Sequence, residues 1–126
     1  MTKRIALAAV AVGLVLALVG CGGGPAPTAS APADGKEVLV HMVTLKFDPE
    51  TLSVPAGTTV RWVNDDGTPH SVFEGVPDSG KYLFRSANLS TGKSFAYKFE
   101  KPGTYEIFCN TGGHHFAGMK MRVVVN

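Results

Sequence analysis

A cysteine, two histidines and a methionine lie close together near the C-terminus, between Cys109 and Met119. The histidines are the adjacent pair His114 and His115, and a further histidine, His70, lies upstream. Two imidazoles and one thiolate in a trigonal plane, with a weakly bound axial methionine, form the ligand set of blue-copper electron-transfer sites. These residue types therefore predict a site for one copper ion that alternates between Cu(I) and Cu(II).

Each of these residues also has an ordinary structural explanation. A lone cysteine is often a small buried hydrophobic residue, and a lone methionine often fills a core. The order of the features favours a site, because a strand ending at Cys109 precedes a glycine-containing loop with histidine. Met119 and a second strand, from Lys120 to Val125, follow that loop. Coincidence is an improbable explanation for this combination.

The elements that must hold the site are predicted to be strands. Alternation places Val60 and Trp62 on one face of a strand, and Phe95, Tyr97 and Phe99 on one face of another. Turn-forming residues recur at short intervals, at 55–57, 65–67, 77–80, 90–92 and 101–103. Short strands between frequent turns favour an antiparallel β-sandwich, formed as one domain by residues 36–126.

The first predicted strand changes its inward face partway along. The apolar residues are at even-numbered positions first, Val38, Val40 and Met42, and then at odd-numbered positions, Val43, Leu45 and Phe47. Because side chains alternate strictly between the faces of a strand, we predict a β-bulge or a switch between sheets near Met42 and Val43.

Several sequence blocks in residues 36–126 carry a resemblance to a known family. They are Phe47-Asp48-Pro49, the run from Val54 to Asn64, Pro69-His70-Ser71-Val72, Gly103-Thr104-Tyr105, Phe108-Cys109, His114 and Gly118-Met119-Lys120. On these blocks the chain resembles the plastocyanin and azurin group of cupredoxins. The resemblance implies a cupredoxin-like, antiparallel Greek-key β-sandwich of about seven to eight strands.

The resemblance also implies the ligands of the copper ion. In that family the first histidine follows the strand that carries the Trp-Val-Asn run, and the cysteine, second histidine and methionine follow on the last hairpin. The family pattern therefore assigns the metal to His70, Cys109, His114 and Met119. It further implies that the second histidine lies in an apolar patch through which electrons pass, here formed by His114, Phe116 and Ala117.

Two neighbouring residues compete for these roles. Choosing His115 would leave five residues after Cys109 and three before Met119, whereas His114 leaves four and four. We favour His114 as the ligand, with His115 as a solvated residue on the rim. Met121 competes for the axial position, but it alternates with valines along the last strand, so we expect it to pack in the core.

The loop between Cys109 and His114 departs from the family pattern because it lacks proline. Every amide of Asn110-Thr111-Gly112-Gly113 can therefore donate a hydrogen bond. A donor to the Cys109 sulfur would shift the reduction potential. Our hypothesis is that the amide of Thr111 is such a donor, so Thr111→Pro would change the potential.

The N-terminal residues 1–20 are typical of a secretory signal. Lys3 and Arg4 precede an apolar run from Ile5 to Val19, which is short for a membrane span. The Leu-Val-Gly-Cys sequence ending at Cys21 resembles the lipobox of bacterial lipoproteins, in which the cysteine is lipidated and becomes the N-terminus. The alternative is an uncleaved transmembrane helix with an incidental cysteine. Either arrangement tethers the domain to a membrane.

Residues 21–35 are predicted to be a disordered linker between the lipidated Cys21 and the domain. They are rich in Gly, Pro and Ala and have almost no large side chains, so they cannot bury a core. With Cys21 at the signal junction, Cys109 is the unpaired second cysteine of an exported protein. Copper ligation would protect that thiol from oxidation.

The charge of the chain excludes one class of function. The net charge of +2 comes from Lys3 and Arg4, since residues 21–126 contain ten basic and ten acidic residues. There is no basic cluster of the kind that binds nucleic acid. Net charge therefore indicates neither nucleic-acid binding nor a strong field that steers a charged partner.

We interpret the chain as a membrane-tethered electron carrier outside the cytoplasm, anchored at the bacterial cell envelope. The expected partners are membrane or periplasmic redox proteins, of the cytochrome or terminal reductase or oxidase type, and we expect a monomer. An enzyme is disfavoured, because four histidines without a His-x-His pair cannot bind the additional coppers of multicopper oxidases or nitrite reductases. The alternative is a periplasmic copper chaperone or storage protein.

Overall fold

Two β-sheets pack together in the part of the chain that the computed structural model describes, residues 29–30 and 37–126. The strands are β1 (Ala29–Ser30), β2 (Val38–Val43), β3 (Lys46–Asp48), β4 (Thr51–Val54), β5 (Thr58–Asn64), β6 (Phe73–Gly75), β7 (Tyr82–Arg85), β8 (Ser94–Phe99), β9 (Gly103–Phe108) and β10 (Lys120–Val125). One sheet has the order β1-β4-β10-β9-β6-β7, and the other has the order β3-β2-β5-β8. This confirms the predicted all-β sandwich.

The described strands outnumber the predicted seven to eight because some are very short. β1 has two residues and β3 has three. β1 lies within the predicted linker and pairs in parallel with β4. The predicted signal segment and lipidated Cys21 lie outside the described residues.

Trp62 occupies the centre of the core between the sheets. Alternate residues of β5 are buried, from Thr58 to Asn64, so one face of this strand points inward as its sequence predicts. The Trp62 ring lies 5.9 Å from that of Phe84 and 6.1 Å from that of Phe95, measured between centroids. Its indole N–H donates to the sulfur of Met121 at 3.2 Å. Met121 is buried in this core, which confirms its predicted packing role.

A tight hairpin explains the change of parity near Met42. β2 and β3 pair antiparallel with Met42 opposite Phe47, and only Thr44 and Leu45 connect them. Both connecting residues have positive φ, 49° and 61°. The prediction of a bulge or sheet switch was therefore wrong. The chain reverses direction instead, and two-residue hairpins with positive φ at both central positions match the twist of their strands.

The last two strands bring the two ends of the predicted copper loop together. β9 and β10 pair antiparallel with Phe108 opposite Lys120, so the flanking residues Cys109 and Met119 lie side by side. A short 3₁₀ helix, Thr111–Ala117, forms most of the connection. None of the helices in the described ranges has the length and apolarity needed to cross a membrane.

Candidate metal centre

Three of the four predicted copper ligands converge at one end of the sandwich. The Nδ1 atoms of His70 and His114 are 3.1 Å apart. The sulfur of Cys109 is 3.8 Å from the His70 Nδ1 and 3.6 Å from the His114 Nδ1. These three residues form the one group of potential metal ligands found among the described residues.

His70 is fixed by backbone and side-chain hydrogen bonds. The backbone N–H of His70 donates to the carbonyl of Leu89 at 3.1 Å, and the backbone carbonyl of His70 accepts from the N–H of Leu89 at 2.7 Å. The residue is fully buried. Its Nε2, on the far side of the ring from the ligand cluster, lies 3.0 Å from a carboxylate oxygen of Asp66.

Glycines let the loop after Cys109 curl back so that His114 faces the cysteine. Gly112 and Gly113 have φ of 54° and 73°, in the left-handed region that residues with a Cβ adopt rarely. A proline could not adopt either value, since its ring holds φ near −65°. The two glycines therefore provide the conformational freedom that this loop requires.

Met119 closes the loop beside the other predicted ligands. Its N–H donates to the carbonyl of His114, and its carbonyl accepts from the N–H of Cys109, each at 3.1 Å. The side chain is fully buried. The predicted axial residue is therefore tied through the backbone to two residues of the cluster.

Ser71 is the hydrogen-bond donor to the cysteine sulfur. Its backbone N–H lies 3.3 Å from the Cys109 Sγ. The prediction that the Thr111 amide fills this role was wrong. Instead, the Ser71 hydroxyl accepts from the Asn110 N–H at 3.1 Å and from the Thr111 hydroxyl at 2.9 Å. One buried serine thus joins the loop of His70 to the loop of Cys109.

We predicted that His115 is a solvated residue on the rim of the site, and this prediction was wrong. Its side chain is 5% exposed, and its ring packs 4.0 Å from that of Phe116 and 5.7 Å from that of Phe108. The reason is the 3₁₀ turn, which directs adjacent side chains to different sides. His114 faces the cluster, and His115 packs against Phe108 and Phe116.

His114 is the one residue of the cluster that is only partly buried. The His114 side chain is partly buried, and Phe116 beside it is 82% exposed. Burial lowers the pKa of His114 below its usual value, and the nearby His70 lowers it further. A low pKa keeps this imidazole neutral, which is the form that binds metals.

Asn64 is a positioning residue that the sequence reasoning overlooked. Its amide donates to the carbonyls of Thr68 and Leu89 at 2.9 and 2.8 Å, and its carbonyl oxygen accepts from the N–H of Asp66 at 2.9 Å. These bonds hold the loop from Asp65 to His70. The available signal was a polar residue at the inward-facing end of an apolar strand, since buried polar groups are normally hydrogen-bonded.

The spacing of the three donor atoms fits a single metal ion. Nitrogen at about 2.0–2.1 Å and sulfur at about 2.3 Å from a first-row ion, in a trigonal plane, lie roughly 3.5–3.8 Å from one another. The measured separations of 3.1, 3.6 and 3.8 Å are close to these values. A thiolate with two imidazoles favours copper over harder ions. The fold and this site therefore define a copper-binding β-sandwich.

Comparison with known proteins leads to the same class. Residues 36–126 match the family described as copper binding proteins, plastocyanin/azurin family. The chain is 37% identical over 87 residues to a plastocyanin of Scenedesmus fuscus, covering 64% of this chain and 87% of that protein. It is 32% identical over 101 residues to an amicyanin of Paracoccus versutus, covering 80% of this chain and 72% of that protein.

A solved enzyme structure contains a similar domain. A copper-containing nitrite reductase from Thermus scotoductus SA-01 superposes with a TM-score of 0.65 and 25% identity. The match covers 79% of this chain but only 28% of the enzyme chain. From the family match, this protein belongs to the plastocyanin/azurin family of copper-binding proteins, and its cofactor is copper.

Proposed function

We propose that this protein is a membrane-tethered blue-copper electron carrier that transfers single electrons between redox partners outside the cytoplasm. The observation that carries the proposal is the buried donor cluster of His70, Cys109 and His114. We assign these residues as equatorial ligands and Met119 as the axial ligand. Bound copper would supply the one-electron change between Cu(I) and Cu(II).

The protein's contribution is to hold its ligands still. His70 is fixed to the Leu89 backbone, and Cys109 is fixed to the Met119 backbone and to Ser71. Because ligands on a packed sandwich cannot rearrange freely, the same geometry serves both oxidation states. Little reorganisation then accompanies electron transfer, and water is excluded from the fully buried His70, Cys109 and Met119.

Electrons enter and leave, in this proposal, through a patch formed by His114, Phe116 and Ala117. Phe116 is 82% exposed, and Ala117 is also exposed. His114 is the ligand nearest to this surface, since it is only partly buried while the other cluster members are fully buried. An apolar surface around an accessible ligand suits brief docking of a redox partner.

The tether and the location follow from the N-terminal sequence. The lipobox-like residues ending at Cys21 support a lipid anchor at the bacterial cell envelope, with the copper domain on the extracytoplasmic side. The partners in this proposal are membrane or periplasmic redox proteins. The balanced charge of residues 21–126 suits contacts that do not depend on strong electrostatic steering.

An electron carrier fits the site better than an enzyme or a copper chaperone. The similar nitrite reductase is a much longer chain, and the described residues of this protein contain a single metal-ligand group. A chaperone must release its metal. The buried cysteine, hydrogen-bonded from Ser71 and enclosed by the loop to Met119, would oppose rapid release.

The proposal is tested by visible absorption of the purified protein after addition of Cu(II), with Cys109→Ser as the matched control. We expect an intense blue sulfur-to-copper charge-transfer band that disappears on reduction and is absent from the control. Electron self-exchange and copper retention against a chelator are measured on the same sample. Weak copper bands and rapid loss of the metal would contradict the carrier function and favour copper handling.

The entry patch is tested by Phe116→Glu. Because Phe116 is largely exposed, we expect the variant to fold and to keep the copper spectrum of the wild type. Electron exchange should be slower, since a charge at the apolar patch must be desolvated on docking. Leu83→Glu is the control, as Leu83 is 55% exposed on β7 and belongs to no part of the patch. Equal rates in both variants and wild type would exclude this patch.

A further inference from the structure

The Asp66 carboxylate is the direct hydrogen-bond partner of His70 on the side away from the cluster. One of its oxygens lies 3.0 Å from the Nε2 of His70, while the Nδ1 of the same ring faces Cys109 and His114. A carboxylate accepts hydrogen bonds and cannot donate them, so it requires the proton of the neutral imidazole to be on Nε2. The lone pair of Nδ1 is then directed at the proposed metal position.

Asp66 is itself held in place by surrounding backbone and side-chain groups. Its N–H donates to the side-chain oxygen of Asn64 at 2.9 Å, and its carbonyl accepts from the Thr91 hydroxyl at 2.7 Å. The N–H of Leu45, at the tip of the β2–β3 hairpin, lies 3.4 Å from the same carboxylate oxygen that meets His70. The first two bonds fix the backbone of Asp66, and the Leu45 N–H contacts its carboxylate directly.

The ionised form of Asp66 is favoured by these contacts. Aspartate side chains are ionised at neutral pH, and the Asp66 carboxylate meets His70 and the Leu45 N–H as a hydrogen-bond acceptor. A negative charge thus lies one imidazole ring away from the cluster. A charge at this position stabilises Cu(II) more than Cu(I), because the oxidised ion carries the additional positive charge.

We infer that Asp66 is a positioning residue that fixes the Nε2-protonated form of His70 and lowers the reduction potential of the copper site. The inference rests on the proposed function, because it concerns the same copper ion. A hydrogen bond to a carboxylate also makes an imidazole a stronger electron-pair donor to a metal ion. Replacing such a hydrogen-bond partner of a metal ligand changes metal affinity by about 10- to 100-fold. The effect passes through His70, since Asp66 is not a member of the ligand cluster.

The test compares two adjacent carboxylates in the full-length, copper-loaded protein. Asp66→Asn keeps an oxygen that can accept from His70 but removes the charge. Asp65→Asn is the matched control, because Asp65 is next in sequence and pairs with the exposed His41 instead of a cluster residue. We expect Asp66→Asn to lower the Cu(II)-to-Cu(I) affinity ratio about tenfold. For a one-electron couple this raises the potential by about 59 mV. The control should shift it far less.

A second measurement does not require the copper centre. The ¹⁵N NMR shifts of the His70 ring in copper-free protein report which nitrogen carries the proton. We expect Nε2 protonation in the wild type, and a mixture of tautomers in Asp66→Ala, which removes the acceptor as well as the charge. An unchanged tautomer in Asp66→Ala would overturn the positioning role.

The outcomes separate this inference from the proposed function. A wild type with the blue band and an Asp66→Asn variant with unchanged potential would overturn the inference and leave the electron carrier intact. Equal shifts in Asp66→Asn and Asp65→Asn would also overturn it, since the cause would then be general charge. A wild type without a blue band would refute the proposed function, and the tautomer measurement would still decide the role of Asp66.

Discussion

Replacing Asn64 by alanine should destabilise the copper-free protein more than its small change in volume suggests. The Asn64 side chain is fully buried and makes three hydrogen bonds, two as donor to Thr68 and Leu89 and one as acceptor from Asp66. All three partners are backbone groups in the segments that position His70. Alanine cannot replace any of these bonds.

The expected magnitude follows from the number of bonds. Each intramolecular hydrogen bond contributes about 0.5–1.5 kcal/mol net, so the loss of three predicts about 3 kcal/mol. For a domain of this size, 1 kcal/mol moves the melting temperature by roughly 4–8 °C, and the full effect corresponds to about 12–24 °C. The assay is thermal unfolding of copper-free protein, followed by circular dichroism. The matched control is Asn126→Ala, whose side chain makes a single exposed bond with Ser53 at 3.1 Å.

The control should remain within about 0.5 kcal/mol of the wild type. If Asn64→Ala were also within that range, the view that this side chain organises the His70 loop would be refuted. A second readout addresses function. Loss of loop order should weaken copper retention in Asn64→Ala and leave it unchanged in Asn126→Ala, so unchanged retention in both variants would show that the loop is held by other contacts.

Two further predictions concern local conformation and pH. Replacing Thr44-Leu45 by Asn-Gly should stabilise the protein by about 1–2 kcal/mol in thermal unfolding, because both positions have positive φ, which threonine and leucine rarely adopt. The control is the same replacement at Ser53-Val54 on β4, which should destabilise the protein. The contribution of His114 to the stability of the copper-free protein should be complete above about pH 6.5 and be lost as pH falls below it, because burial and the nearby His70 hold the pKa of His114 below its unfolded value. In His114→Gln this loss of stability at low pH should be smaller. An unchanged dependence of stability on pH would show that His114 is not its source.

The sequence was a reliable guide where local pattern decides structure. Alternation in β5 predicted the buried face that carries Val60 and Trp62, and alternation in β10 predicted that Met121 packs in the core. These predictions succeed because side chains on a strand alternate between faces whatever the rest of the fold does. The sequence did not reveal the hairpin at Thr44-Leu45, because neither threonine nor leucine normally marks a turn with positive φ.

Residue types and order by themselves indicated copper and placed Cys109, His114 and Met119 in one loop, because ligand chemistry depends on the donor atoms. Only the tertiary structure decided which neighbours control those donors. The spacing already favoured His114 over His115 as the ligand, but only the structure shows that His115 is buried against Phe108. Ser71 donates to the cysteine sulfur across 38 positions of sequence separation. Such contacts depend on how the two sheets bring distant loops together, and no local pattern in the chain specifies that distance.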